Sequence, residues 1–262
     1  MMQMRDFRLD EHVAIVTGAG RGIGAGIAMA YAQAGADVVL VARTRQQLDT
    51  VAARVRASGR TAITVAGDVR DLTQAPIVVE RAVAELGRLD VVVNNAGGAE
   101  PRALLDTTGA ELDAAFHLNV TAAFELVKQA TPRLLEGGQG SVVNISSTMD
   151  QMVGRGLLVY GTVKAALSHM TRLLAADLAP RVRVNAIAPG VVETDALKAA
   201  LTDELRAQVT AATPLHRLAS VDDVASAAVW LASPAAGFVT GTVIGVDGGA
   251  QAPTFPNQLP DL

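Results

Sequence analysis

The 262-residue chain contains no cysteine, which excludes disulfides, thiolate nucleophiles and Cys-bearing metal sites together. Aromatic residues are almost as scarce, at 3% with one Trp and two Tyr, so any core must be aliphatic. Positive charge is not in excess. The 22 Lys+Arg are outnumbered by 26 Asp+Glu, for a net charge of −4, and a nucleic-acid or anionic-membrane surface would need clustered cations. Long apolar runs are also missing: residues 91–99 and 157–163 are short and interrupted, well under the ~18–20 apolar residues of a membrane span. The opening MMQMRDFRLDEH carries charges at Arg5, Asp6, Arg8 and Asp10 where a signal peptide would be apolar, so a cytoplasmic protein is expected. Four histidines, His12, His117, His169 and His216, show no ligand spacing, and no metal is expected.

Aliphatic residues are plentiful, and their arrangement is informative. Near-continuous Val/Ile runs at residues 12–17, 37–42, 61–66, 89–94, 141–146, 182–188 and 242–246 have the character of strands buried on both faces of a parallel sheet. Between them lie segments of helical composition at 23–34, 45–57, 74–86, 111–135, 160–178 and 221–232. Alternation of this kind predicts an α/β, doubly wound parallel sheet of seven strands with helices on both faces and right-handed crossovers. No Pro/Ser-rich linker divides the chain, so residues 1–262 are read as one domain. Residues 193–220 are helical in composition and too long for a simple crossover, and read as a substrate lid. Residues 251–262, with three prolines, read as an extended tail.

The first strand runs into Thr17-Gly18-Ala19-Gly20-Arg21-Gly22-Ile23-Gly24. Glycines there allow a tight turn and close approach of a pyrophosphate to the amino end of the following helix. Selectivity for NAD usually comes from an acid after the second strand, yet residues 38–48 contain no Asp or Glu and do contain Arg43 and Arg45. A guanidinium suits a 2′-phosphate that a carboxylate would repel, so Arg43 with Arg21 predicts NADP(H). Asp68, just past the third strand, is either an acceptor for the adenine amino group or a helix cap.

Of the two tyrosines, Tyr31 sits among Ala and Met as a packing residue, whereas Tyr160 stands four residues before Lys164, on one helix face. A phenol with a reference pKa of about 10 is a poor proton donor at neutral pH, and a fixed ammonium would lower it toward a working range. Thirteen residues upstream, Ser147 ends the fifth strand run, where its hydroxyl could donate to a carbonyl oxygen gathering negative charge; Ser146 is the rival. Met149 and Met152, between that serine and Tyr160, either wall an apolar pocket or simply pack.

The chain strongly resembles the short-chain dehydrogenase/reductase family from about Leu9 to Ala250. The matching pieces are the Gly-rich turn at 17–24, Asn-Asn-Ala-Gly at 94–97, Asn119, Ser147, Tyr160-x-x-x-Lys164, and Pro189-Gly190 followed by Thr194. The resemblance implies a single-domain Rossmann fold and a catalytic tetrad. In it Tyr160 exchanges the proton, Ser147 orients and polarises the substrate oxygen, Lys164 lowers the tyrosine pKa and binds the nicotinamide ribose, and Asn119 holds a water in the proton relay. It also implies cofactor contacts at Gly18, Gly22, Ile23, Gly24, Asp68, Val69, Asn95, Ala96, Gly97, Pro189, Gly190, Val192 and Thr194, and a homotetramer built through 111–135, 160–178 and the last strand.

The segments expected to form the pocket, 149–159 and 195–218, are mostly aliphatic, which favours a hydrophobic ketone or secondary alcohol over a sugar. A second reading places the same chemistry on 3-oxoacyl thioesters. Carrier-protein reductases commonly present basic residues before the fifth strand, whereas this chain has Leu135-Glu136-Gly137-Gly138-Gln139-Gly140. A third reading is a catalytically silent NADP-binding regulator.

Overall fold

The computed structural model describes residues 4–250; the expected tail at 251–262 lies outside them. Seven strands form one all-parallel sheet. In chain order they are β1 (Val13–Thr17), β2 (Asp37–Ala42), β3 (Ala62–Ala66), β4 (Val91–Asn94), β5 (Gly140–Ile145), β6 (Val182–Pro189) and β7 (Val243–Val246). Their spatial order is β3-β2-β1-β4-β5-β6-β7, with Val13 opposite Asp37 on one side of β1 and Val16 opposite Val93 on the other. Every residue of β1 and of β5 is buried, which is why apolar residues predominate in both without a strict alternation; the buried polar ones, Ser141 and Asn144 among them, are hydrogen-bonded.

Successive side chains of a strand point to opposite faces, and two cores result. Ala14 and Val16 of β1 pack under α1 (Gly22–Ala34), α2 (Arg45–Ala57) and α9 (Val221–Ala232), while Val13 and Ile15 pack under α3 (Gln74–Leu86), α5 (Ala122–Glu136) and α6 (Leu158–Leu178). Strand order reverses between β1 and β4, so the connections leaving their carboxyl ends part to opposite faces and open a crevice there.

The bounds of α2, α3 and α9 coincide with the sequence expectation, and Tyr31 is fully buried with its hydroxyl donating to the Ala228 carbonyl. The expected single helix at 111–135 is instead three pieces. α4 (Gly109–Phe116) begins earlier because Thr108 and Glu111 form a reciprocal cap, a π-helical turn spans His117–Thr121, and α5 follows. The interruption has a local cause: Asn119 Nδ2 donates to the Ala115 carbonyl at 2.8 Å, so a side chain takes an acceptor of the helix ladder. Residues 193–220 contain two short helices, α7 (Asp195–Ala200) and α8 (Asp203–Ala212), capped by the Thr194 and Thr202 hydroxyls. A parallel bridge between Val192 and Ala219 ties the two ends of this insertion together.

Candidate active site

A cleft of about 1020 Å³ opens at the carboxyl ends of the strands, large enough for a dinucleotide and a small substrate together. Of the residues expected at a site, Gly18, Arg21, Gly22, Ile23, Arg43, Asp68, Val69, Asn95, Ala96, Gly97, Ser147, Tyr160, Lys164, Pro189, Gly190, Val192 and Thr194 line it. Gly24 and Asn119 stand behind the lining. A Cβ on Gly24 would lie 2.4 Å from both the Gly18 carbonyl oxygen and Asn95 Nδ2, so that glycine serves the tight packing of the turn rather than contact with a ligand.

The Gly-rich turn is held by β4. Thr17 Oγ1 donates to the Val93 carbonyl and accepts from the Asn95 and Ala96 amides, while Asn95 Nδ2 donates to the Thr17 carbonyl at 2.9 Å. The turn delivers the amino end of α1 to the cleft. No side chain caps that helix and its first turn contains no acid, so its free N–H groups and positive dipole end suit a phosphate. A dinucleotide fits these groups. At the same end of the cleft, Asp68 is not a helix cap: it is clasped by Arg70, whose amide, Nε and Nη2 all donate to it. This holds its carboxyl below the ordinary carboxylate range. Arg21 and Arg43 line the cleft here without an ion-pair partner among the described residues. Arg70 was missed in the sequence; its position two residues after Asp68 was the available signal.

Toward the middle of the sheet, β5 presents Ser147 and α6 presents Tyr160 and Lys164. The two serines separate by role. Ser146 Oγ lies 2.7 Å from Ser168 Oγ and 3.1 Å from the Lys164 carbonyl oxygen, behind the cleft, whereas Ser147 lines the cleft with Tyr160 and its hydroxyl accepts from the Met149 amide. Burial pushes the Tyr160 phenol above its ordinary value, and the nearby Ser147 hydroxyl pulls it part of the way back. The lowering expected from Lys164 is not felt here. Its ammonium lies 5.7 Å over the tyrosine ring centroid and donates to the Ile145 carbonyl at 2.9 Å; burial drives it down to about 8, which leaves it largely protonated at neutral pH.

Asn119 is 1% exposed, and its amide is spent on backbone: Oδ1 accepts from the Gly98 amide, and Nδ2 donates to the Gly98 and Ala115 carbonyls. A relay water would have only the second Oδ1 lone pair or a backbone atom to hold it. His117 Nε2 lies 2.7 Å from the Arg70 carbonyl oxygen, joining the π turn to the Asp68 loop. The remaining wall is apolar, formed by Met149 and Leu157 with Leu197, Leu201, Leu205 and Val209 of the insertion; Met152 does not line the cleft. Among the described residues no cluster of His, Asp and Glu could hold a metal ion, and no helix is long and apolar enough to cross a membrane.

Comparison with known proteins places this geometry in context. Residues 18–251 match a family model described as enoyl-(acyl carrier protein) reductase. An "uncharacterized oxidoreductase" of Mycobacterium tuberculosis is 53% identical, with 98% of each chain covered. Cis-4-hydroxycyclohexanecarboxylate dehydrogenase of Sinomonas cyclohexanicum is 40% identical over 92% of this chain and 97% of its own. Among solved structures, a 7α-hydroxysteroid dehydrogenase complexed with NADH and 7-oxo glycochenodeoxycholic acid superposes with a TM-score of 0.92 at 36% identity, covering 95% of this chain and 98% of that one.

Proposed function

The chain belongs to the short-chain dehydrogenase/reductase family and is an oxidoreductase of CH–OH and C=O groups, and from that premise we propose that it is an NADP(H)-dependent enzyme for a hydrophobic ketone or secondary alcohol. The observation that carries the reading is the Ser147–Tyr160–Lys164 cluster in the cleft, which Met149, Leu157, Leu197, Leu201, Leu205 and Val209 also line. The nicotinamide, when bound, supplies or takes up the hydride. Ser147 donates a hydrogen bond to the substrate oxygen, and the Tyr160 phenol gives that oxygen its proton in reduction or removes it in oxidation. Lys164 supplies a cation in a site dry enough to magnify it. The residues that would hold the dinucleotide are the α1 turn for the pyrophosphate, Arg21 and Arg43 for a 2′-phosphate, and Asp68 beside the adenine. The insertion at 193–220 acts as a lid whose leucines cover the substrate, and assembly is a homotetramer.

The specific support for NADP is the pair of unpartnered arginines at the cleft end; the solved relative, by contrast, is complexed with NADH. Arg43→Ala is expected to weaken NADPH binding much more than NADH, and equal wild-type affinity for the two cofactors would refute the assignment. A carbonyl panel read by NADPH oxidation tests the reaction. Tyr160→Phe is expected to lose ~10²–10⁴ of the rate while still binding NADPH. A relative from Staphylococcus aureus named 3-oxoacyl-[acyl-carrier-protein] reductase, 34% identical over 90% of this chain, supports a second reading, a 3-oxoacyl thioester as substrate; turnover of acyl thioesters well above cyclic ketones would favour it. Wild-type protein that binds NADPH and reduces nothing in the panel would leave a cofactor-binding regulator.

A further inference from the structure

Ser147 lies in an extended conformation between the end of β5 and a short 3-10 turn, Thr148–Asp150. Such a junction has latitude, yet its two flanks are fastened to one side chain. The preceding residue, Ser146, places its hydroxyl 2.7 Å from Ser168 Oγ. Three residues after Ser147, Asp150 Oδ2 accepts from that same Ser168 hydroxyl at 2.6 Å. Ser168 sits on α6 one helical turn beyond Lys164 and two beyond Tyr160. It is 2% exposed, and its single hydrogen goes to Asp150 while a lone pair is left for Ser146.

The arrangement is costly. Asp150 Oδ1 is buried without a partner, although a carboxylate would ordinarily turn both oxygens to water or to donors. A structural turn has no need of that orientation, because the backbone bonds from the Asp150 amide to the Ser147 carbonyl and from Met152 to Thr148 already close it. What the Ser168 contact adds is registration between the segment carrying Ser147 and the helix carrying Tyr160 and Lys164.

We propose that Ser168, with Asp150 as its partner, is a positioning residue that fixes Ser147 against Tyr160, an inference that rests on the reading of those two residues as the reacting pair. It touches neither substrate nor cofactor and acts through the junction it clamps. A displaced serine loses its alignment with the substrate oxygen without any change in the dinucleotide site at the far end of the cleft.

The test uses Ser168→Ala, Asp150→Ala, Asp150→Asn and the double alanine variant, with NADPH and a ketone that the wild type reduces. Each single alanine change is expected to lower kcat about tenfold, in line with the cost of small misplacements of reacting groups, with NADPH affinity unchanged. The double variant should fall no further than either single one, since one clamp is lost once. Asp150→Asn keeps the acceptor and should restore most of kcat, which a general loss of packing would not do. A readout independent of turnover comes from tyrosine labelled with carbon-13 at Cζ, because the chain has only two tyrosines. The Tyr160 resonance should titrate at higher pH in Ser168→Ala, as in Ser147→Ala, because the Ser147 hydroxyl that lowers it is displaced or removed. Unchanged kcat and an unmoved tyrosine midpoint in Ser168→Ala, or losses that multiply in the double variant, would overturn the proposal. Should Ser168→Ala fail to fold, the half-buried Asp150→Ala gives the same readouts. Should the wild type reduce no ketone, the functional reading fails, and the tyrosine midpoint still decides the clamp in either direction.

Discussion

Replacing Lys164 by methionine should abolish turnover and make the protein more stable. The side chain is 4% exposed, and burial holds its amine at about 8 instead of 10.5. At about 1.4 kcal/mol per tenfold change in proton affinity, protonating the buried amine near neutral pH costs about 3 kcal/mol. Methionine has nearly the same shape and no charge to desolvate. It forfeits the bond to the Ile145 carbonyl, worth about 1 kcal/mol, leaving a gain of about 2 kcal/mol. For a chain of this length that corresponds to a rise in Tm of about 4–8 °C. The pH dependence follows from proton counts: between about pH 8 and 10.5 the unfolded chain binds more protons at this site than the folded one, so wild-type stability rises with pH across that window. The advantage of Lys164→Met is therefore full at pH 7 and shrinks to nothing, or reverses by the lost hydrogen bond, above about 10.5. Calorimetry of both proteins without cofactor at pH 7 and at high pH decides it. A variant no more stable than wild type at pH 7, or a gain that does not decline with pH, would refute the reasoning.

Two further outcomes follow from the packing. Asp223 caps α9 and is held well below the ordinary carboxylate range by Arg217 and by Ser220, so its contribution is present above about pH 4 and is lost as the pH falls through the folded value. Asp223→Asn should cost about 1 kcal/mol at pH 7, with the difference from wild type narrowing in acid, as read by thermal melts across pH. Phe116 and Phe124 stand partly exposed on α4 and α5, as does Leu173 on α6, and exposed apolar side chains of this size are expected to be covered in an oligomer. Phe124→Asp should shift the mass by light scattering from a tetramer to a smaller species, and a wild type already monomeric would sink this expectation.

The sheet was legible because strands buried on both faces are predominantly apolar, as Val13–Val16 and Val91–Val93 are. Helix bounds were legible where capping chemistry or composition marks an end, as at Ser220 and Gly87. The π turn was not, since it depends on the Asn119 amide reaching Ala115 and Gly98, and side-chain competition for a backbone acceptor leaves no periodic trace. In the site, residue identities were legible from motif spacing, but their electrostatics were not. Spacing brought Lys164 to the face of Tyr160, and only burial and the Ile145 carbonyl explain where the amine is held and why its proton affinity is lowered. The Ser146–Ser168–Asp150 contacts join two stretches, the junction after β5 and the middle of α6, with nothing local to announce them.

The placement of β1 at the centre of the sheet has a consequence for synthesis. Its two edges are filled by β2, close in sequence, and by β4, which begins at Val91; Asp90 even accepts from the Val13 amide across 77 residues. At a translation rate of about 5–20 residues per second, one edge of an entirely apolar strand waits roughly 4–15 s for its partner to be made. The nascent chain thus carries an open, Val-rich edge beside the turn that will later grip phosphate, and a chaperone has its longest opportunity there.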